Sequence, residues 1–232
     1  MKFSIEITPN TDINNLKTKE VFITWLPTHN IEIILKKVQD LKKIGLIPIP
    51  HIPAKKIKNI GEVIYLTNEL EKYTNKILLI GGGGKQEGIF YEVNDLVKTG
   101  YFTDFEIGVA GFPEGNGNLT YEESLKILMS KTYASFVVTQ FCLDIDKINK
   151  FLKDSPLPVY LGIPNKCNYK EIVKFSKMCG LSNSLKAFKS NPLNILKLMI
   201  TGFKPNRIIK NILYPVESFH IYTFGSVYFV LE

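Results

Sequence analysis

Arginine is nearly missing from this chain. Arg207 is its only one, so almost all of the 29 cationic residues are lysines. Readers of nucleic-acid sequence rely on arginine forks and a clustered basic face. Here the net charge of +7 is spread over amphipathic stretches such as Ile34-Leu-Lys-Lys-Val-Gln-Asp-Leu-Lys-Lys43. That pattern reads as a solvated helix surface and argues against a nucleic-acid partner. A weaker role remains for it, the attraction of a small anion. Cysteine is scarce too: Cys142, Cys167 and Cys179 are odd in number and make no CxxC pair, which predicts reduced thiols rather than a disulfide framework. The three histidines are scattered, with no H-x-x-x-H spacing, so no metal site is expected. No apolar run exceeds strand length, which excludes a membrane-spanning helix. The first apolar run contains Glu6 and carries no cleavable leader pattern. A cytoplasmic location is therefore expected, with the Asn118-Leu-Thr120 glycosylation triplet unused.

What the chain does have is a repeated unit. Eight short apolar runs recur along it: Phe3-Ser-Ile-Glu-Ile-Thr8, Val21-Phe-Ile-Thr-Trp25, Leu46-Ile-Pro-Ile-Pro-His51, Ile77-Leu-Leu-Ile-Gly81, Phe105-Glu-Ile-Gly-Val-Ala110, Ser135-Phe-Val-Val-Thr-Gln140, Pro158-Val-Tyr-Leu-Gly162 and Phe219-His-Ile-Tyr-Thr223. Most are separated by segments of helical period. Eight strand–helix units close into a (β/α)8 TIM barrel, an α/β fold whose chemistry sits at the C-terminal ends of the strands. With 232 residues and 45% hydrophobic content, residues 1–232 are expected to form a single such domain. The places to look are then Glu6, Thr24, His51, Gly81 to Gly84, Glu114, Gln140, Gly162 and Thr223.

The intervening helices are readable. Ile31, Ile34, Leu35, Val38 and Leu41 recur at helical spacing, and Gly45 stops that helix near residue 43. Residues 55–73 read as one or two helices, and 87–98 as another before Gly100. Thr120-Tyr-Glu-Glu123 carries a capping-box pattern for a helix reaching about Lys131. Helices are also expected at 145–153 and from Asn168 to Cys179, the latter ended by Gly180. Residues 163–217 must hold at least two helices, with Leu193-Asn-Ile-Leu-Lys-Leu-Met-Ile200 the clearest, and Pro205 breaking or restarting the run.

Several strand ends carry chemistry. Strand alternation sets Glu6 on one face with Ser4 and Thr8. A carboxyl pointing into a barrel is desolvated, which raises its pKa and suits it to general-acid work; a structural carboxyl paired with a lysine is the other reading. Gly81-Gly-Gly-Gly84-Lys85 lets backbone approach a ligand closely, or is simply a turn. Its spacing fits neither of the two common phosphate-binding glycine loops. Gly111-Phe-Pro-Glu-Gly-Asn-Gly117 offers Phe112, Glu114 and Asn116 in a turn-rich loop suited to binding. Gln140 ends strand six with donors and an acceptor that match a heterocycle edge. His51 and His220 each suit a structural imidazole as well as a catalyst. Phe175 has core packing as its default.

Taken in order, these residues resemble the methylenetetrahydrofolate reductase family over nearly the whole chain. Ser4-Ile-Glu-Ile-Thr-Pro9 resembles its first-strand motif, and Pro50-His51 its third-strand end. Gly108-Val-Ala-Gly-Phe-Pro-Glu-Gly115 is similar to its fifth-strand signature, and Val138-Thr-Gln-Phe-Cys-Leu-Asp144 to its sixth-strand folate motif. Leu161-Gly-Ile-Pro164, Asn168-Tyr-Lys-Glu, Lys174-Phe-Ser-Lys-Met-Cys-Gly180 and Phe219-His-Ile-Tyr-Thr223 match later segments. The resemblance implies a folate enzyme that interconverts 5,10-methylene- and 5-methyl-tetrahydrofolate, using FAD and NAD(P)H. By position, Glu6 is implied as general acid. Gln140, Phe175, Glu114 and Gly83 are implied at the folate, and Thr24, His51, Gly81, Gly82, Phe112 and Asn116 at the cofactor.

There are departures from the family pattern. Gly83 stands where the family has an aspartate facing flavin and folate, and Gly81 where it has an arginine. Asn116 replaces a histidine, and Ser226 a terminal arginine. A basic helix residue that meets FAD phosphates has no counterpart near Leu128 and Met129. Either FAD binds by altered contacts, or hydride passes directly between nicotinamide and folate; the sequence favours weak or absent FAD. The first expectation is therefore a reductase, or a dehydrogenase running the same reaction in reverse. The second is a catalytically silent folate-binding barrel or partner subunit. A third is an unrelated barrel lyase, with only Pro164-Asn-Lys166 and Thr223-Phe-Gly-Ser226 as a phosphate grip. A homo-oligomer is compatible with any of these.

Overall fold

In the computed structural model of the chain, residues 1–13, 18–117, 119–178 and 202–223 are described, those at 175–178 by backbone alone. Eight strands close into a barrel in chain order: β1 (Phe3–Ile7), β2 (Glu20–Ile23), β3 (Ile47–Pro53), β4 (Lys76–Ile80), β5 (Glu106–Gly111), β6 (Phe136–Thr139), β7 (Val159–Pro164) and β8 (Ser218–Tyr222). Neighbouring strands run parallel, and from β2 to β8 helices lie between them in sequence. The expected (β/α)8 barrel is thus the observed fold. Its backbone contacts fall into two compact units: one of Phe3–Ala110 with Tyr133–Phe136, the other of Met1–Lys2, Gly111–Thr132 and Val137–Glu232.

In the first unit the strands are buried on both sides, as parallel strands are when helices cover them. Ile5, Ile7, Val21, Phe22, Ile23, Ile49, Ile52, Ile77 and Leu79 are all nearly inaccessible. β3 is unusual in its prolines. Pro48 and Pro50 have no N–H to donate. The amide of Ile47 donates toward β2, to Lys19 O at 2.8 Å, so the alternate residues 48 and 50 turn toward β4. The paired register of β3 with β4 begins only at His51, opposite Leu78.

At the N-terminal end of these strands, Lys76 Nζ lies 2.9 Å from Glu20 and 3.7 Å from Glu106. The same ammonium sits 5.0 Å over the Phe136 ring. One cation thereby joins the starts of three strands, a stabilising device at the face of the barrel away from chemistry. Phe136 fills the space beside Gly108, where an added Cβ would stand 2.3 Å from the ring.

The helix α1 (Ile31–Lys43) has the bounds its periodicity predicts. It buries Ile31, Ile34, Leu35, Val38 and Leu41, and Asn30 caps it by accepting from the Ile33 amide. The 55–73 segment is split. A 3₁₀ turn (Ala54–Lys56) comes first, then Asn59 caps α2 (Ile60–Leu70). The helix expected at 87–98 shrinks to α3 (Val93–Val97). Two contacts prevent its earlier start. Gly88 packs so tightly on Ile57 that a Cβ would lie 2.0 Å from its carbonyl, and the Gln86 amide donates to Gly88 O and Phe90 O, holding a loop.

In the second unit, α4 (Tyr121–Met129) opens on the expected capping box. Thr120 Oγ1 accepts from the Glu123 amide, and the Glu123 carboxylate accepts from the Thr120 amide at 2.7 Å. α5 (Ile145–Asp154) is capped by Asp144. α6 (Tyr169–Met178) follows β7, and a one-turn helix α7 (Asn206–Ile209) restarts directly after Pro205. The helix expected around 193–200 lies outside the described residues. Among the described residues no helix is long and apolar enough to cross a membrane.

The Gly108–Phe136 contact has a measurable consequence. Gly108→Ala must displace the Phe136 ring and is expected to destabilise the fold by about 1–3 kcal/mol, as overpacking does. Gly83→Ala is the control, since nothing lies within 4 Å of an added Cβ there. Urea unfolding should lower the midpoint of the first variant and leave the second within error of the parent.

Candidate functional site

In the first unit the expected acid meets a partner. Glu6 sits on β1 and His51 on β3, with His51 Nε2 3.5 Å from Glu6 Oε2. The side chains are 19% and 7% exposed respectively, so the pair is sheltered but reachable. Alternate strands of a barrel send inward side chains to the same layer, which is why residues on β1 and β3 touch across β2. The intervening Phe22 presents its ring edge-on to the imidazole at 6.2 Å between centroids.

Thr24 follows the last residue of β2, half-buried, and its amide donates to Ile7 O at 2.8 Å. The end of β2 is thereby pinned one residue beyond Glu6. The glycine loop follows β4. Gly81 accepts from the Lys55 amide at 3.2 Å. Gly82 has φ +84, and a Cβ there would lie 2.9 Å from Pro53 Cβ, so this position needs glycine. Gly81 and Gly83 have ordinary φ and open space around them. Both could carry a side chain without clash.

Beside the 3₁₀ turn lies a cavity of about 310 Å³ lined by Trp25, His29, Lys56, Lys58 and Glu87 among others. Trp25 Nε1 donates to His29 O at 2.9 Å. Lys56 donates to Pro27 O at 2.6 Å and pairs with Glu87 at 3.0 Å. His29 is buried, with no partner for Nδ1 among the described residues. Burial first, and the Lys56 charge second, hold its pKa below the ordinary 6.5.

In the second unit, the Gln140 amide donates to Gly111 O at 2.9 Å. This sets Gln140, half-buried, at the root of the 111–117 loop. Phe112 O accepts from the Gly115 amide and Asn116 O from the Leu119 amide, folding that loop into two turns. The Glu114 side chain is only 4% exposed and lies 3.5 Å from Lys147 Nζ. Asn116 is exposed. The side chain of Phe175, on α6, lies outside the described residues.

Sequence reasoning missed several neighbours. Thr139 Oγ1 accepts from the Gly162 amide at 2.8 Å, while Thr139 O accepts from the Tyr222 hydroxyl at 2.9 Å. A Cβ on Gly162 would fall 2.2 Å from Thr139 O. Asn165, 1% exposed just past β7, donates its amide to Tyr222 O at 3.0 Å. The only available signal was a polar residue next to a strand end. His220 is fully buried and edge-on to Tyr222 at 5.0 Å, in keeping with a structural imidazole. Cys167 is also set aside as a nucleophile: burial, then Glu171, pushes its thiol up to about 12. Among the described residues no three histidine, cysteine or acidic side chains gather as metal ligands.

Sequence and structure comparisons bear on this geometry. A solved Clostridium thermocellum protein, uncharacterized and described as binding two copies of 5-methyl-5,6,7,8-tetrahydrofolic acid, shares 16% identity, covers 97% of this chain and 93% of its own, and superposes with a TM-score of 0.65. An oxaloacetate acetylhydrolase shares 11% identity over 90% of this chain and 88% of its own, at 0.55. A putative phosphonomutase from Burkholderia cenocepacia shares 9% over 87% and 93%, at 0.52. At these identities the likeness is one of fold.

His29 yields a pH prediction. Its depressed pKa means that, as pH falls through 6.5, the unfolded chain takes up a proton that the folded chain resists. Stability from this group is therefore complete above pH 6.5 and is lost on acidification. The melting temperature should fall below that pH, and His29→Gln should flatten that limb in a calorimetric series.

The profile of methylenetetrahydrofolate reductase matches residues 82–228, well over half of the chain, and the chain belongs to that family.

Proposed function

We propose that this chain is an oxidoreductase that interconverts 5,10-methylene- and 5-methyl-tetrahydrofolate with NAD(P)H as the other reactant. The observation that carries the reading is Glu6: a carboxyl on the first strand, largely withdrawn from water, with a polar partner to orient it. In the reducing direction Glu6 gives its proton to N10 of the bridged pterin. The methylene bridge opens to an N5 iminium, and hydride from the nicotinamide reduces that carbon to a methyl group. One proton and one hydride are consumed, and Glu6 is left as the anion.

Gln140 is the proposed partner of the pterin edge, since its amide can donate and accept at once. Phe175 is the proposed stacking residue for the folate, with Glu114 and Gly83 at its periphery. Thr24, Gly81, Gly82, Phe112, Asn116 and His51 are the positions proposed for the cofactor side.

FAD is a poorer fit. The loop after β4 offers glycine at 81 and 83, hence neither a carboxylate nor a guanidinium toward a flavin. His51 is turned to Glu6 rather than presented freely. These residues favour direct hydride transfer between nicotinamide and folate.

A second reading is a folate-holding barrel without turnover, or a partner subunit in methyl transfer. The bare glycines favour it, and so does the ligand named for the Clostridium thermocellum neighbour.

The test begins with the visible spectrum of the purified chain, which should lack bound flavin. NADH or NADPH oxidation is then followed with methylene-tetrahydrofolate, and the reverse reaction with the methyl form. Turnover is expected, with Glu6→Gln lowering it about 10²–10⁴-fold, the usual worth of a positioned acid. No turnover in either direction, with or without added FAD, together with calorimetric binding of 5-methyl-tetrahydrofolate, selects the binding reading. Gly83→Asp should fold normally, because the site is open, and should raise affinity for added FAD if the missing carboxylate is what weakens it.

A further inference from the structure

The family pattern implies a cofactor role for His51. The geometry points to a different one: we propose that His51 is a positioning residue for Glu6, fixing which carboxyl oxygen carries the transferable proton. The proposal rests on the oxidoreductase reading above.

A protonated carboxyl has one hydroxyl oxygen and one carbonyl oxygen. In isolation the proton can sit on either, and a general acid that holds it on the wrong one must rotate or exchange before it can react. His51 Nε2 lies 3.5 Å from Oε2 of Glu6 and is the ring nitrogen nearest that group. The distance is long for a hydrogen bond. Such contacts often tighten only when substrate fills the site.

With Nε2 carrying hydrogen, the imidazole donates and Oε2 must accept. Oε2 is then the carbonyl oxygen, and the proton is confined to Oε1. On transfer, the Oε1–H bond breaks, its electron pair stays on the carboxylate, and the proton forms the new N–H bond at N10. His51 keeps its own proton throughout and stabilises the anion left behind. Removal of the carboxylate's negative charge from water makes that donor worth more than it would be at the surface.

The surroundings favour a fixed imidazole. His51 is interior to β3, its side chain is 7% exposed, and Phe22 abuts its ring edge-on. β3 is anchored to β4 from His51 onward, so the donor's backbone is held at that point. A positioned donor of this kind matters because small misplacement of a reacting group costs about 10²-fold in rate.

The experiment compares native chain, His51→Phe and His51→Gln. Gln returns an N–H near the position of Nε2, and Phe keeps volume without a donor. His51→Phe should lower kcat about 100-fold with KM changed less than about twofold, the mark of an interaction felt only in the transition state. His51→Gln should regain about tenfold of that loss. Native kcat in His51→Phe, or a loss confined to KM or to FAD binding, would overturn the proposal and return His51 to the cofactor side. Ring ¹⁵N spectra of histidine-labelled protein supply a readout independent of turnover, with His51 assigned by its loss in His51→Gln. Nε2 should be the protonated nitrogen, and Glu6→Gln should shift its resonance. An unprotonated Nε2, or a resonance indifferent to Glu6→Gln, would sink the pairing even in an active enzyme. A native chain without turnover whose Nε2 still responds to Glu6 would overturn the oxidoreductase reading and this catalytic role together, leaving a structural pair.

Discussion

A carboxyl group drawn out of water is expensive to keep unless something polar faces it. That constraint organises the chemical end of the β1–β5 unit. Glu6 is sheltered on β1, and an imidazole from β3 faces it. An ammonium would hold the carboxyl ionised and useless as an acid. A neutral imidazole can orient it without taking over its proton. Two cations of the unit are engaged elsewhere: Lys76 with Glu20 and Glu106 at the opposite end of the strands, and Lys56 with Glu87.

The barrel itself was legible because its signals are local and repeated. Period-two and period-3.6 patterns are written by the geometry of single elements, so α1 came out with its observed bounds and the box at Thr120 was readable from four residues. The shortfall at α3 had a non-local cause. Nothing in 87–92 taken alone forbids a helix, and the loop there is held by Gly88 against Ile57, thirty-one positions earlier in the chain. The same holds for the 3₁₀ turn ahead of α2, where the Lys55 amide donates to Gly81 O and the Lys55 carbonyl accepts from the Glu87 amide.

The site was legible in its members and not in its pairings. Glu6, Gln140 and His51 could be picked as strand-end polar groups, and a family resemblance gave them roles. That Glu6 and His51 meet could have been inferred only from the layering of alternate strands, which requires knowing the barrel's stagger. Lys147 near Glu114, and Thr139 between Gly162 and Tyr222, carry no local signature at all. The glycines at 81 to 84 show the limit of composition most clearly. In sequence they are equivalent. In the fold, Gly82 is demanded by its backbone and by Pro53, whereas Gly81 and Gly83 are merely unoccupied. Family members with side chains at the latter two positions and this chain can therefore share one backbone path, and the difference between them is chemical rather than architectural.

The prolines of β3 carry a last consequence. With Pro48 and Pro50 lacking N–H groups, the seam between β3 and β4 has its ladder gathered at His51 through Pro53. A zipper fastened only at the top frays from the bottom. Thermal breathing of this seam should begin at the foot of the strands, far from the reacting atoms, and the rung that bears the imidazole is the first paired rung it meets.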